Sequence, residues 1–275
     1  MQPKSQAEFT RRYGPWAIVA GASEGLGAAY AQALAARKLN LLLVARRAEL
    51  LQDEASRVKR QYAINTETLP VDLSRPGSFE EVVEVAKGLE VGLLIYNAGF
   101  SVEGPFLGHS LDDHLEEIYT NVHMPIQLVY HFGQRMLHAH HGGIILMGSL
   151  SAFQGSAYIA NYSATKAYNM ILAEGLWEEW RRQGVDVLAC MAGAVRTPNY
   201  IASQPRSAGR FADATLEPER VVAETLSTLG KKALVIPGRM NRISSFIMRR
   251  LLSREAAIRL MGSVLRKMYL NSSND

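Results

Sequence analysis

Tyr162 and Lys166 stand four residues apart in a run, residues 161–180, that reads as a helix. Side chains at that spacing share one helical face, a turn apart, so a phenol would lie beside an ammonium. A free tyrosine, with a pKa of about 10, is a poor acid or base near neutrality. A fixed positive charge nearby favours the phenolate and pulls that value down. The pair could then exchange a proton with an alcohol or carbonyl oxygen. The spacing alone is common in ordinary helices, so its surroundings decide its meaning. Ser149 precedes Tyr162 by thirteen residues and follows the apolar run Ile144-Ile145-Leu146-Met147. That run reads as a buried strand, and open α/β sheets bind ligands at the carboxyl ends of their strands. Ser151 is the rival, two residues further from the strand. Asn121 sits inside a long amphipathic stretch, residues 111–137, where an asparagine is mildly unfavourable. Pro125, four residues on, has no N–H for the Asn121 carbonyl, which is left free to bind something such as water.

The elements that must position these groups begin with Trp16-Ala17-Ile18-Val19-Ala20, a buried strand by its continuous apolar character. It enters Gly21-Ala22-Ser23-Glu24-Gly25-Leu26-Gly27, and a helical pattern runs from Leu26 to Lys38. Strand, glycine turn and helix make a nucleotide-phosphate site, because glycines admit a diphosphate to the backbone and the helix start offers unpaired N–H groups. A plain tight turn is the other reading.

The next strand, Leu41-Leu42-Leu43-Val44-Ala45, ends in Arg46-Arg47 rather than in an acid. A carboxylate there would mark a free ribose 2′-hydroxyl, whereas guanidiniums suit a 2′-phosphate, so NADP is favoured over NAD. A solvated basic loop is the alternative, and Glu24 close by counts against the phosphate. Residues 48–62 form a helix. A third strand, residues 68–73, brings Asp72 to its exit. There Asp72 could meet an adenine amino group, or cap the turn from Ser74. Residues 79–89 read as a helix and residues 91–96 as a strand, followed by Asn97-Ala98-Gly99. Small residues there would let backbone pass under a ribose. Strands are expected again at 185–191 and 233–236, with a helix at 217–229 between them.

Composition is that of a globular chain, 48% hydrophobic and 20% charged over 275 residues, enough for one large domain. The lone cysteine, Cys190, excludes an internal disulfide and lies in an apolar run, which suits a reducing, cytoplasmic setting. No run approaches the roughly 18 apolar residues of a membrane span, and residues 1–13 show no signal-peptide core. His138, His140 and His141 lack the companions of a metal site and fit the last turn of a helix. The net charge of +4 is uneven: residues 239–275 carry eight Lys/Arg against two Asp/Glu, so the preceding 238 residues sum to −2. No basic reading face for nucleic acid is found in the body.

Taken in order, Gly21, Gly25 and Gly27, Asn97-Ala98-Gly99, Asn121, Ser149, Tyr162 and Lys166 resemble the short-chain dehydrogenase/reductase family, over roughly residues 16–238. The resemblance implies a single-domain, doubly wound (Rossmann) α/β fold with a parallel seven-stranded sheet, and NAD(P)(H)-dependent oxidoreductase activity. It implies homodimers or homotetramers built on the helices that carry Asn121 and Tyr162. By the same resemblance Tyr162 is the general acid/base, Lys166 lowers its pKa and holds the nicotinamide ribose, and Ser149 binds the substrate oxygen. Asn121 would hold, through its carbonyl, a water in a relay to Lys166. Gly21, Ser23, Glu24, Gly25, Leu26 and Gly27 would form the cofactor turn. Arg46 would take the 2′-phosphate and Asp72 and Leu73 the adenine. Asn97, Ala98 and Gly99 would lie along the cofactor, with Val195 and Thr197 at the nicotinamide. Three positions depart from the pattern: Tyr96 where a second asparagine is usual, Ala192 where proline is usual, and Glu24 where NADP users often place a base.

The substrate pocket is expected among Phe100, Leu150, Phe153, Tyr158, Ala194, Tyr200 and Ile201, with Ser149, Phe153, Tyr158 and Tyr200 as contacts. This apolar set points to a hydrophobic ketone, aldehyde or secondary alcohol. Residues 196–216 have little periodicity and read as a lid, with Arg206 and Arg210 on it. Beyond the core, residues 239–275 form a basic amphipathic extension. Ile258, Met261, Leu265 and Met268 make one stripe, and Ile243, Phe246 and Ile247 a shorter one. The extension would pack over the pocket or a neighbouring subunit, or touch a membrane through residues 239–270. Two further functions compete with a reductase: a nucleotide sensor that has lost chemistry, and an epimerase or dehydratase using the same Tyr-Lys pair. The complete Ser149, Tyr162 and Lys166 set speaks against the first, and the absence of a longer substrate domain against the second.

Overall fold

The computed structural model describes residues 6–202 and 215–269. Seven strands form its sheet: β1 (Trp16–Ala20), β2 (Asn40–Ala45), β3 (Thr66–Pro70), β4 (Val91–Tyr96), β5 (Gly142–Ser149), β6 (Val185–Ala192) and β7 (Leu234–Val235). All pairs are parallel and the order is 3-2-1-4-5-6-7. Continuous rather than alternating apolar sequence is what a strand covered on both faces requires, and β1, β2, β4 and β6 are apolar nearly throughout. The outer strand β3 is shifted two to three residues earlier than expected. It stops at Pro70, with a last bond from the Val71 N–H to the Ala45 carbonyl at 3.0 Å, so Asp72 lies in the loop beyond.

The helices are α1 (Gln6–Tyr13), α2 (Gly25–Ala35), α3 (Ala48–Tyr62), α4 (Ser78–Val85), α5 (Leu111–Ile118), α6 (Met124–Ala139), α7 (Ala160–Trp180), α8 (Pro198–Ala202), α9 (Pro218–Thr228), α10 (Arg239–Arg250) and α11 (Arg254–Tyr269). One apolar layer joins the sheet to α1, α2, α3 and α9, and the other joins it to α4, α6 and α7. The α1 helix was not legible in the sequence, since only Phe9 and Tyr13 face inward. It is tied down by the Tyr13 hydroxyl, which donates to Asp186 Oδ2 at 2.6 Å, with Arg12 Nε on the same oxygen at 2.6 Å.

The single helix expected over residues 111–137 is interrupted by a wider π turn, Tyr119–His123, and Asn121 lies within it. The lid segment is not all loop, because α8 occupies its start; Arg206 and Arg210 lie outside the described residues. In the extension, α11 turns its stripe inward, with Leu265 buried and Ile258 and Met261 half-buried. The side chain of Met268 lies outside the described residues. The shorter stripe on α10 behaves oppositely: Asn241 and Ser245 are buried, while Ile243, Phe246 and Ile247 face out. Polar contacts set this rotation. Asn241 Nδ2 donates to the Pro237 carbonyl at 2.9 Å and packs against Gly193, and Arg242 Nη1 reaches Glu224 Oε2 at 2.8 Å.

Candidate active site

The chain reverses direction across the sheet between β1 and β4, the position at which open α/β sheets bind ligands. A cleft of about 720 Å³ opens there, over the carboxyl ends of the strands. Its wall includes Gly21, Ser23, Glu24, Gly25, Leu26, Arg46, Asp72, Leu73, Asn97, Ala98, Gly99, Ser149, Tyr162, Lys166, Val195, Thr197 and Tyr200. Of the residues expected at the site, Gly27 and Asn121 lie behind this wall and shape it.

The glycine turn is tight enough to require its residue types. Gly21 has φ +81°, and a Cβ on it would approach the Ala98 backbone to 2.7 Å. On Gly27 a Cβ would sit 1.8 Å from the Gly21 carbonyl oxygen. Asn97 ties the turn to β4, its Nδ2 donating to that same oxygen at 2.9 Å. Helix α2 then starts with no side chain capping it, so its first N–H groups and its positive dipole end face the cleft. A backbone cradle of this kind fits a dinucleotide diphosphate.

At the end of β2, Glu24 does not stand as a free acid: Arg47 Nη2 pairs with it at 2.7 Å and reaches Ser23 Oγ at 3.2 Å. Arg46 stays largely exposed, with Asp72 Oδ2 at 4.0 Å. Asp72 performs its capping role, since its Oδ1 accepts from the Ser74 N–H at 3.0 Å and the Ser74 hydroxyl at 2.8 Å.

Ser149, at the tip of β5, faces the phenol of Tyr162 on α7. Ser151, the rival, is buried and donates its hydroxyl to Ser149 Oγ at 3.0 Å, while its N–H does so at 3.2 Å. It orients Ser149 rather than replacing it. Lys166 is buried one turn from Tyr162. Its Nζ donates to the Met147 carbonyl at 3.2 Å and lies 5.5 Å from the Tyr162 ring centre. Burial pulls the Lys166 ammonium down to about 8, against the pull of Glu117, which favours the charge. The expected depression of Tyr162 is not what the structure gives. Burial pushes the phenol up to about 12, and the Ser149 hydrogen bond only partly offsets this. Desolvation of the phenolate dominates, and the carboxylates of Glu117 and Glu103 push the same way.

Asn121 is fully buried and clamps the loop after β4. Its Oδ1 accepts from the Phe100 N–H at 3.0 Å, and its Nδ2 donates to the Phe100 carbonyl at 2.8 Å and to Thr165 Oγ1 at 3.1 Å. Its carbonyl is not free, as Pro125 alone would leave it: Asn169 Nδ2 donates to it at 2.9 Å. Asn169 had a signal in the sequence, since it falls seven residues after Tyr162 and three after Lys166, on the same helical face. Glu117, one turn before Asn121, was also missed. Fully buried, it accepts from the Val102 N–H at 3.2 Å and from Asn161 Nδ2 at 2.7 Å, and so grips the residue next to Tyr162.

Among the expected substrate contacts, Tyr200 lines the cleft and Phe153 and Tyr158 do not. The extension claims both: the Arg249 guanidinium lies 4.2 Å from the Phe153 ring centre, and Arg266 Nε donates to the Tyr158 hydroxyl at 3.0 Å. Leu150 and Ile201 are likewise absent from the wall, whereas Phe100 and Ala194 are on it, as are Glu103, Glu116 and Thr120. The pocket is thus more polar than the apolar sequence set suggests. Cys190 is buried with its thiol pushed up to about 12 by desolvation, and it has no part in the site.

Fold and site together have the form of a dinucleotide-binding oxidoreductase, with a serine, a tyrosine and a lysine brought together in the cleft. The family model for short chain dehydrogenase matches residues 15–207, and the chain belongs to that NAD(P)-using family. It is 32% identical over 234 residues to the 7beta-hydroxysteroid dehydrogenase of Clostridium sardiniense, covering 85% of this chain and 89% of that protein. A structure solved in work on 7beta-hydroxysteroid dehydrogenase stereoselectivity superposes with a TM-score of 0.87 at 28% identity, over 95% of this chain and 100% of that one. A short-chain dehydrogenase from Sphingobium yanoikuyae in complex with NADPH shares the fold, with a TM-score of 0.75 at 24% identity, over 95% and 99% of the two chains.

Proposed function

We propose that this protein interconverts a hydrophobic ketone and its secondary alcohol, of the steroid type, with NADP(H). The observation that carries the chemistry is the convergence of Ser149, Tyr162 and Lys166 at the tip of β5, beside the glycine turn. The substrate class rests on the hydroxysteroid dehydrogenase relatives. The bound nicotinamide supplies or accepts the hydride. Ser149 and Tyr162 act as donors to the oxygen on which negative charge grows during reduction. Tyr162 then gives up its proton, and Lys166 beside it favours the phenolate left behind. Asn121 and Asn169 hold α5–α6 and α7 in register, so that Lys166 stays aligned with Tyr162.

The 2′-phosphate preference rests on Arg46, an exposed guanidinium whose neighbourhood is relieved of the Glu24 charge by Arg47. Removal of the Tyr162 hydroxyl tests the central assignment. Tyr162→Phe is expected to bind NADPH with unchanged affinity by fluorescence and to lose at least about a thousandfold in kcat, given the usual weight of acid–base groups and oxyanion donors. Reduction of a 7-ketosteroid at the unmodified rate by this variant would remove Tyr162 from the mechanism.

A further inference from the structure

We infer that the outward face of α10 rests on an anionic lipid surface. Met240, Ile243, Phe246, Ile247 and the adjoining Leu251 are 61%, 51%, 59%, 40% and 67% exposed. They fall at i, i+3, i+6, i+7 and i+11, one side of a helix about 18 Å long. The opposite side is docked through Asn241 and Ser245, so the apolar side has no room to turn inward.

Charge identifies the partner. Residues 239–254 contain five arginines and no acidic residue. Arg242 is paired with Glu224 and Arg249 lies over Phe153. Arg239, Arg250 and Arg254 are exposed, and no described carboxylate lies within ion-pair distance of them. Arg239 and Arg250 are eleven residues apart, three turns, and therefore bracket the apolar stripe on its own side. Long guanidinium side chains lay their stems along apolar surface and carry the charge to the water boundary. There they bind phosphate in two-point fashion. A second copy presenting this same face would set arginine against arginine with no acid between them. Acyl chains beneath anionic headgroups satisfy the stripe and the arginines together. Arg249 also joins this helix to Phe153, four residues after Ser149 in the chain.

The test uses the whole protein, sedimented with vesicles of phosphatidylcholine alone or with about one-third phosphatidylglycerol. Binding to the mixed vesicles and not to the neutral ones is expected, weakening as salt rises. Ile243→Glu/Ile247→Glu is expected to lower the partition at least about tenfold with no change in the unfolding midpoint, since both side chains are exposed. Arg239→Ala/Arg250→Ala, which leaves the apolar surface in place, is expected to lower it severalfold. No sedimentation of the intact protein, equal binding to neutral vesicles, or full binding by the glutamate variant would each overturn the inference. So would a solution mass that halves in the glutamate variant while vesicles are ignored, which would make the face a protein interface. None of these readings depends on catalytic activity, so the reductase proposal stands or falls separately.

Discussion

Enclosure moves Tyr162 and Lys166 in opposite directions, and this governs how the reaction should answer to pH. With the phenol near 12, Tyr162 remains a proton donor across the whole accessible range. Lys166, near 8, loses its positive charge within that range. The ammonium is therefore present below about 8 and lost above it. A plot of kcat/KM for ketone reduction against pH is expected to be level on the acid side and to fall through about 8. Lys166→Arg, which cannot lose its charge, is expected to give a lower plateau without that fall; a fall persisting in the variant would assign it elsewhere. At the other end of the cleft, the prediction concerns Arg46. Arg46→Ala is expected to raise the KM for NADPH about tenfold, some 1.4 kcal/mol, and to leave that for NADH within about twofold. Equal effects on both cofactors would show that Arg46 does not read the 2′-phosphate.

The turn from β1 into α2 works as a unit because its backbone folds onto itself. A methyl group on Gly27 would fall inside contact distance of the Gly21 carbonyl oxygen, and backbone cannot swing aside as a side chain can. Gly27→Ala is expected to cost about 1–3 kcal/mol by urea unfolding. Nucleotide affinity should drop in the same variant, because relief of the clash must open the cradle. A variant of unaltered stability would mean that the turn is looser than it stands here. The π turn between α5 and α6 is the matching device on the substrate side. It presents the Asn121 carbonyl to Asn169 and the Asn121 amide to Phe100, linking three segments through one side chain and its own backbone.

On the scale of the molecule, the remaining exposed apolar surface is concentrated on the helices that carry Asn121 and Tyr162. Leu111 and Leu115 on α5, Tyr130 on α6, and Tyr168 and Ile171 on α7 all reach solvent in the single chain. A face of this kind on long helices suits self-association. A homodimer or homotetramer is expected by light scattering, and Tyr130→Glu/Ile171→Glu is expected to reduce the mass to that of one chain. A native protein already monomeric at micromolar concentration would exclude it. Among the described residues no helix is long and apolar enough to cross a membrane.

Much of this was legible in the chain because it depends on neighbours in sequence. Strand and helix types follow from the length and period of apolar runs, and the glycine turn from residue types that only a close backbone approach demands. Tyr162 and Lys166 share a face at any four-residue helical spacing. The order of these pieces along the chain was enough to place the family. What depends on partners distant in sequence was not legible. Arg47 neutralises Glu24 across a turn, and Asn169 takes the carbonyl that Pro125 had released. Burial, rather than the lysine, sets the acidity of Tyr162. The two stripes of the extension look alike as sequence, yet one faces in and the other out, because Asn241 packs against Gly193 and Arg242 pairs with Glu224, contacts that a hydrophobic period cannot foresee. Local spacing determines which groups can act together; only the packing of remote segments decides how strongly each is charged and which of its faces meets water.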